Sequence, residues 1–244
     1  MLNIDMVITM FNRKIPKCDS LKEVAMDVVE LHISKRTKAL DRLPELKKLR
    51  YLVASEIGEE HFRQTCSATQ ITHLKAVVPT VKSLDPLRNL KNLRALSLFQ
   101  NARIESLDGI EELQNLEYLS MGFFNTQFAL NPLSRCIQLR YLWMSSTIMG
   151  RQYVDSLGPL SPLTKLERLI LSGTRVRDRK LTPLHGLKKL IEIRLTDYFP
   201  PEEFTALAVA LPNARGEWLD IHVGRRPNPL AGLKAARKQR RNKL

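Results

Sequence analysis

The stretch LDPLRNLKNLRALSL, residues 84–98, places leucine at 84, 87, 90, 93, 96 and 98. Steps of three residues end in one step of two. A three-residue step suits a short α or 3-10 turn, and a two-residue step is the period of a strand. The segments LDRLPELKKLRYLVA (40–54), LDGIEELQNLEYLSM (107–121), LNPLSRCIQLRYLWM (130–144), LGPLSPLTKLERLIL (157–171) and LTPLHGLKKLIEIRL (181–195) align with it without a gap. All six frame positions are apolar in every copy, Cys136 included. Pro86, Pro132, Pro159 and Pro183 each precede a frame leucine, where a fixed φ helps to start a helical turn.

Weaker copies extend the series through Ala68, Ile71, Leu74 and Ala76, and through Ala25, Val28, Leu31 and Ile33. The first strand position then recurs at 31, 52, 74, 96, 119, 142, 169 and 193, about one repeat per 23 residues. A degenerate ninth unit is expected around 211–219. One turn and one strand cannot bury their apolar faces alone, but stacked copies can, which predicts a curved solenoid.

Over roughly residues 20–220 the chain resembles the leucine-rich repeat family. The L-x-P-L turns and LSGTRVRD (171–178) are most similar to short internalin-like and phosphatase-regulator-like bacterial repeats. The resemblance implies an α/β solenoid, with parallel strands on the concave face and short helical or 3-10 segments on the convex face. It also implies that the concave face binds another protein. The sequence departs from the family signature at the Asn after each strand, which appears only as Asn101, with Thr147 and Thr174 at equivalent places. A threonine hydroxyl is expected to do part of that job by bonding nearby backbone.

The expected organisation is an N-terminal cap over 1–24, a solenoid of eight to nine repeats over 25–220 and a basic arm over 221–244. Residues 2–10 alternate, with Leu2, Ile4, Met6, Ile8 and Met10 on one side, and read as a half-buried strand. Residues 20–31 read as helical, starting at an Asp19 or Ser20 cap with Glu23 three after Ser20. Either segment could cover the first repeat.

The chain has 244 residues, 43% of them apolar, and a formal net charge of +14. Eight cations without an acid fall in the last twenty residues, namely Arg225, Arg226, Lys234, Arg237, Lys238, Arg240, Arg241 and Lys243, which leaves +6 for the body. Cys18, Cys66 and Cys136 are odd in number and far apart, which suggests neither a disulfide framework nor a cysteine-built metal site and fits a reducing, cytoplasmic compartment. The first residues read as mature sequence, because Asp5 interrupts the apolar run and no cation precedes it. No apolar run approaches the ~18 residues of a membrane-spanning helix.

The phosphate-cradle, dinucleotide, nucleophile-elbow and zincin motifs are absent from the sequence. The five histidines have no ligand spacing. No catalytic residue, cofactor or metal is expected, and the reading is of a noncatalytic protein.

Function is sought on the outward side of the strands. The first outward row is Glu30, Tyr51, His73, Ala95, Tyr118, Tyr141, Arg168 and Glu192; the second is His32, Val53, Lys75, Ser97, Ser120, Trp143, Ile170 and Arg194. The third is Ser34, Ser55, Val77, Phe99, Gly122, Ser145, Ser172 and Thr196. Phe99, Tyr118, Tyr141 and Trp143 thus fall on adjacent repeats beside Arg168 and Arg194. Tyr, Trp and Arg dominate binding hot spots, so these six are the candidate partner-binding residues. The competing reading is that the aromatics pack as cross-strand neighbours. If binding is their role, Trp143→Ala with Tyr141→Ala abolishes partner capture and leaves the melting temperature nearly unchanged. Two further questions concern the longer spacing around SSTIMGRQYVDS (145–156), read as loop drift, and Phe123 and Phe124, of which one is expected in the core.

The leading function is protein–protein interaction on the concave face of a monomer, with an acidic protein partner and an inhibitor or immunity-type role as its narrower form. The alternative is nucleic-acid or ribonucleoprotein binding through the basic arm, whose cations can contact phosphates.

Overall fold

The computed structural model describes residues 3–100, 103, 104, 106–124, 129–146 and 152–227, with the backbone alone at 123 and 124. The three-residue steps of the frame form 3-10 turns at Leu40–Glu45, Asp85–Asn89, Ile110–Glu112, Asn131–Arg135, Gly158–Leu160 and Thr182–Leu184. Pro86, Pro132, Pro159 and Pro183 stand in the first turn of their segments, where a missing N–H leaves no bond unmade.

The two-residue steps form strands: β1 (Glu30–Ser34), β2 (Tyr51–Ser55), β3 (His73–Val77), β4 (Ala95–Phe99), β5 (Tyr118–Phe124) and β6 (Tyr141–Ser146). After β7 (Gln152–Val154) come β8 (Arg168–Ser172), β9 (Thr174–Val176) and β10 (Glu192–Arg194). Eight of them make one parallel sheet in the order β1-β2-β3-β4-β5-β6-β8-β10. Its register sets Leu31, Leu52, Leu74, Leu96, Leu119, Leu142, Leu169 and Ile193 side by side. These leucines, with those of the turns, fill one continuous core. Helix α2 (Glu59–Thr65) replaces the 3-10 turn of the third repeat and buries Phe62.

The N-terminal expectations are corrected. The expected strand is instead a helix: Ile4–Asn12 is helix α1. The Asn3 side chain accepts the Met6 N–H at 3.1 Å and Asp5 sits in the first turn, both of which favour a helix start. Ile4, Val7 and Phe11 form its buried face, an i, i+3, i+7 stripe. The open edge at β1 is instead met by residues 17–20, through bridges Lys17–His32 and Ser20–Lys38. Nor are residues 20–31 one helix: Leu21–Glu23 is a single 3-10 turn whose cap, Ser20, accepts the Lys22 N–H. Leu31 and Ile33 are buried as expected, whereas Ala25 is exposed.

At the other end, the degenerate unit contributes one bridge, Glu192–Arg215. Helices α3 (Pro201–Ala210) and α4 (Glu217–His222) close the core there with Phe204, Leu207 and Leu219. The described part of the longer repeat is ordered: β7 pairs in parallel with β9 as a second, two-stranded sheet. Thr174 does not take over the role of the signature Asn, since among the described residues its buried hydroxyl finds no hydrogen-bond partner. Asn101 and Thr147 lie outside the described residues, as do the side chains of Phe123 and Phe124. Cys136 is buried in the frame as read, and burial pushes its thiol up to about 12.

Candidate functional site

Because the strands pair without slip through the outward rows, each row becomes a line of neighbours across the sheet. Tyr118 stands beside Tyr141, and Tyr141 beside Arg168. The two phenol rings stack with centroids 4.5 Å apart and planes at 5°. In the third row Phe99 faces Gly122 across the β4–β5 pair. Phe99 and the second-row Trp143 meet above that glycine, with ring centroids 5.9 Å apart. A Cβ at 122 would lie 2.8 Å from Phe99 Cδ1 and 3.1 Å from Trp143 Cζ3, so any side chain there would force the aromatic pair to shift.

This outward side is not bare. A second apolar cluster, separate from the repeat core, joins Ile4, Val7 and Phe11 of α1 to Tyr51, Val53, Ala95, Tyr118, Tyr141 and Ile170 of the sheet. The Phe11 ring lies 5.8 Å from that of Tyr51 and 5.5 Å from that of Tyr118. Helix α1 therefore runs across the strands on the concave face.

Both ends of α1 are held by polar groups of the sheet. At the start of the helix, Arg168 Nη1 lies 2.7 Å from Asp5 Oδ1. At the other end, the Met10 carbonyl accepts the Arg13 N–H at 3.1 Å and the Tyr51 hydroxyl at 3.0 Å, and Lys75 Nζ donates to the Phe11 carbonyl. The sheet thus reads the helix by its polarity as well as by its apolar stripe. Proton affinities follow the burial: desolvation raises the phenols of Tyr118 and Tyr141, takes Tyr51 up to about 12 and lowers the Lys75 ammonium. The hydrogen bond and charge of Arg168 hold Asp5 below the usual carboxylate range.

The six candidate residues therefore divide. Tyr118 and Tyr141 are 5% and 7% exposed beneath α1, and Arg168 is engaged with Asp5. Trp143 is half-buried at the margin of the cluster and Phe99 is half-buried beside it. The Arg194 side chain is 66% exposed, with its guanidinium 2.6 Å from Glu192. The packing of Tyr141 against Tyr118 within this cluster favours, for that residue, the competing reading of cross-strand packing. Sequence reasoning missed Tyr51, Lys75 and Ile170 as members of the site. All three were in the outward rows, but nothing signalled that a helix would lie on them.

Of the basic arm, Arg225 is not free: its Nη1 lies 3.3 Å from Asp220 Oδ1 and 3.2 Å from the Ala214 carbonyl. Arg226 donates its N–H to the Asp220 carbonyl. Lys234, Arg237, Lys238, Arg240, Arg241 and Lys243 lie outside the described residues. Among the described residues no three His, Cys, Asp or Glu side chains gather to hold a metal, and no helix is long and apolar enough to cross a membrane.

The parallel sheet with a 3-10 turn or short helix in each repeat is the leucine-rich repeat fold, and known structures agree. Internalin C2 of Listeria monocytogenes is 23% identical, with 74% of this chain and 77% of that one aligned at a TM-score of 0.58. A second internalin of that organism, inlF, is 16% identical over 76% of this chain and 59% of its own, with a TM-score of 0.52. The plant peptide hormone receptor RGFR1, solved in complex with RGF2, is 13% identical over 84% of this chain, with a TM-score of 0.52. This chain spans 38% of that receptor. No protein-family model matches the chain, and no curated protein is similar to it in sequence.

Proposed function

We propose that the protein is a noncatalytic interaction module of the cytoplasm that captures a protein partner on its concave strand face. The observation that carries this reading is the second apolar cluster. A solenoid needs its repeat core to fold, but it does not need tyrosines, an isoleucine and a valine on the outer side of the sheet, where α1 covers them. That cluster continues into the Phe99–Trp143 pair, and Arg194 lies two strands further along the same face, across Ile170. An aromatic pair on the same face as a surface guanidinium, here paired with Glu192, suits a hot spot in which an acidic side chain of the partner takes the place of Glu192. A peptide complex of a similar fold, RGFR1 with RGF2, is consistent with this use. An inhibitor or immunity-type role is the narrower form of the proposal.

The test is affinity capture with nuclease-treated extract, comparing the wild-type chain with the double variant Trp143→Ala, Arg194→Glu. The variant should lose a stoichiometric protein partner while its melting temperature stays within a few degrees. Capture that survives the double substitution would place the partner elsewhere, and capture that vanishes with nuclease would favour nucleic acid.

A further inference from the structure

We propose that the concave face is a receptor for one amphipathic helix, that α1 is its built-in occupant, and that the partner competes by presenting a helix of the same chemistry. That chemistry is apolar residues at i, i+3 and i+7 with a carboxylate at i+1, the pattern of Ile4, Val7, Phe11 and Asp5. This rests on the reading of the concave face as a protein-binding surface and names the partner element that the face takes.

Three observations on different atoms carry it. The apolar stripe of α1 meets a cluster that shares no residue with the repeat core, so the solenoid closes without the helix. The sheet supplies donors to the carbonyl end of the helix from Tyr51 and Lys75 and a cation to its first turn from Arg168. This arrangement fixes helix direction and favours acid at the start, as a helix dipole does. Finally, α1 leaves the open β1 edge to residues 17–20, so the helix does not serve as the end cap.

A tethered helix competes at an effective concentration of about 1 mM. If a free copy binds the open groove with a Kd of about 100 µM, the tethered one occupies it about tenfold over the open form, and an outside helix binds about tenfold more weakly than it would to an empty groove. The closed form therefore raises the threshold for capture and does not forbid it.

The experiment uses the full chain and a fluorescein-labelled peptide of residues 1–14, read by fluorescence polarisation. Val7→Asp in the chain should eject α1, and the peptide should then bind about tenfold or more tightly than to wild type. A peptide carrying Phe11→Ala should lose that binding. Adding Arg168→Glu to the open chain should weaken the normal peptide, and Asp5→Lys in the peptide should restore it. If Val7→Asp fails to fold by circular dichroism, Asp5→Lys in the chain opens the groove more gently and the same titrations apply. Equal binding to wild type and open chain, or no binding to either folded variant, overturns the proposal. A wild-type dimer that falls to a monomer on Val7→Asp also overturns it, by making a second copy the occupant. No outside partner enters these titrations. A negative result with capture through Trp143 and Arg194 intact therefore removes the helix proposal alone, and the converse removes the functional reading alone.

Discussion

Phe11→Ala is the substitution that separates the two cores. Phe11 is buried against the rings of Tyr51 and Tyr118 and belongs to the concave cluster, with no place in the repeat core. Truncating a buried phenylalanine costs about 3–5 kcal/mol. At 1.4 kcal/mol per factor of ten, about 3 kcal/mol lowers the docked-to-undocked ratio of α1 by roughly 10²-fold. In an ordinary core that loss would fall on global stability. Here the helix can leave while the leucine frame stays closed, so the global loss is limited to whatever docking contributed. Leu142→Ala is the matched control, since Leu142 is fully buried in the frame and its truncation should cost about 2–5 kcal/mol of cooperative stability. Native-state hydrogen exchange distinguishes the two. For Phe11→Ala, the α1 amides of Val7 to Asn12 should exchange about tenfold faster, the ceiling that a tenfold-favoured docked form allows, with those of β4, β5 and β6 unchanged; for Leu142→Ala, both sets should accelerate together. Equal acceleration of strand amides in Phe11→Ala, with a melting temperature as low as that of Leu142→Ala, would refute the separation and make α1 a structural part of the solenoid.

Two further outcomes follow from the same geometry. Burial raises the Tyr51 phenol from 10.0 to about 12; the folded form holds this proton more tightly, so the stability it contributes is complete below pH 10 and is lost as pH climbs towards 12. Since the hydroxyl donates to the Met10 carbonyl, exchange at α1 should quicken in that window after correction for intrinsic rates, and Tyr51→Phe should lack this component; a wild-type profile identical to that of Tyr51→Phe would contradict the assignment. At Gly122, alanine would press on Phe99 and Trp143, so Gly122→Ala should shift tryptophan emission, to which Trp218 also contributes, and weaken partner capture without displacing α1. Unchanged emission would show that the aromatic pair does not depend on the glycine.

The solenoid was legible because its signal is redundant. Each frame leucine is repeated in register, and a parallel sheet that keeps its register through the outward rows converts spacing in sequence directly into rows in space. The same arithmetic located Phe99, Tyr118, Tyr141, Trp143, Arg168 and Arg194 on one face. What it could not show was α1. Residues 2–10 satisfy a period of two through Leu2, Ile4, Met6, Ile8 and Met10, while Ile4, Val7, Ile8 and Phe11 satisfy the helical period. Isoleucine and methionine serve either pattern, so the choice fell to context: Asn3 as cap and an apolar strip of sheet to cover. The ion pair at the helix start joins residues 163 apart, Asp5 and Arg168, and no local pattern announces such a contact.

The three rows of the face meet a partner at different depths, and this decides whether capture and α1 compete. The first row, with Tyr51, Tyr118, Tyr141 and Arg168, is covered, and a partner can reach it only by removing the helix. The third row, with Phe99, Ser145 and Ser172, does not belong to the α1 cluster. Trp143, in the second row, touches both the cluster and Phe99. A partner confined to Phe99, Trp143 and Arg194 would bind beside α1, so Phe11→Ala would leave its affinity unchanged. A partner that presents its own helix would gain affinity from Phe11→Ala, up to the tenfold that the tether imposes. The direction of that change, measured on a purified partner, separates an added neighbour from a replaced helix, whatever the partner proves to be.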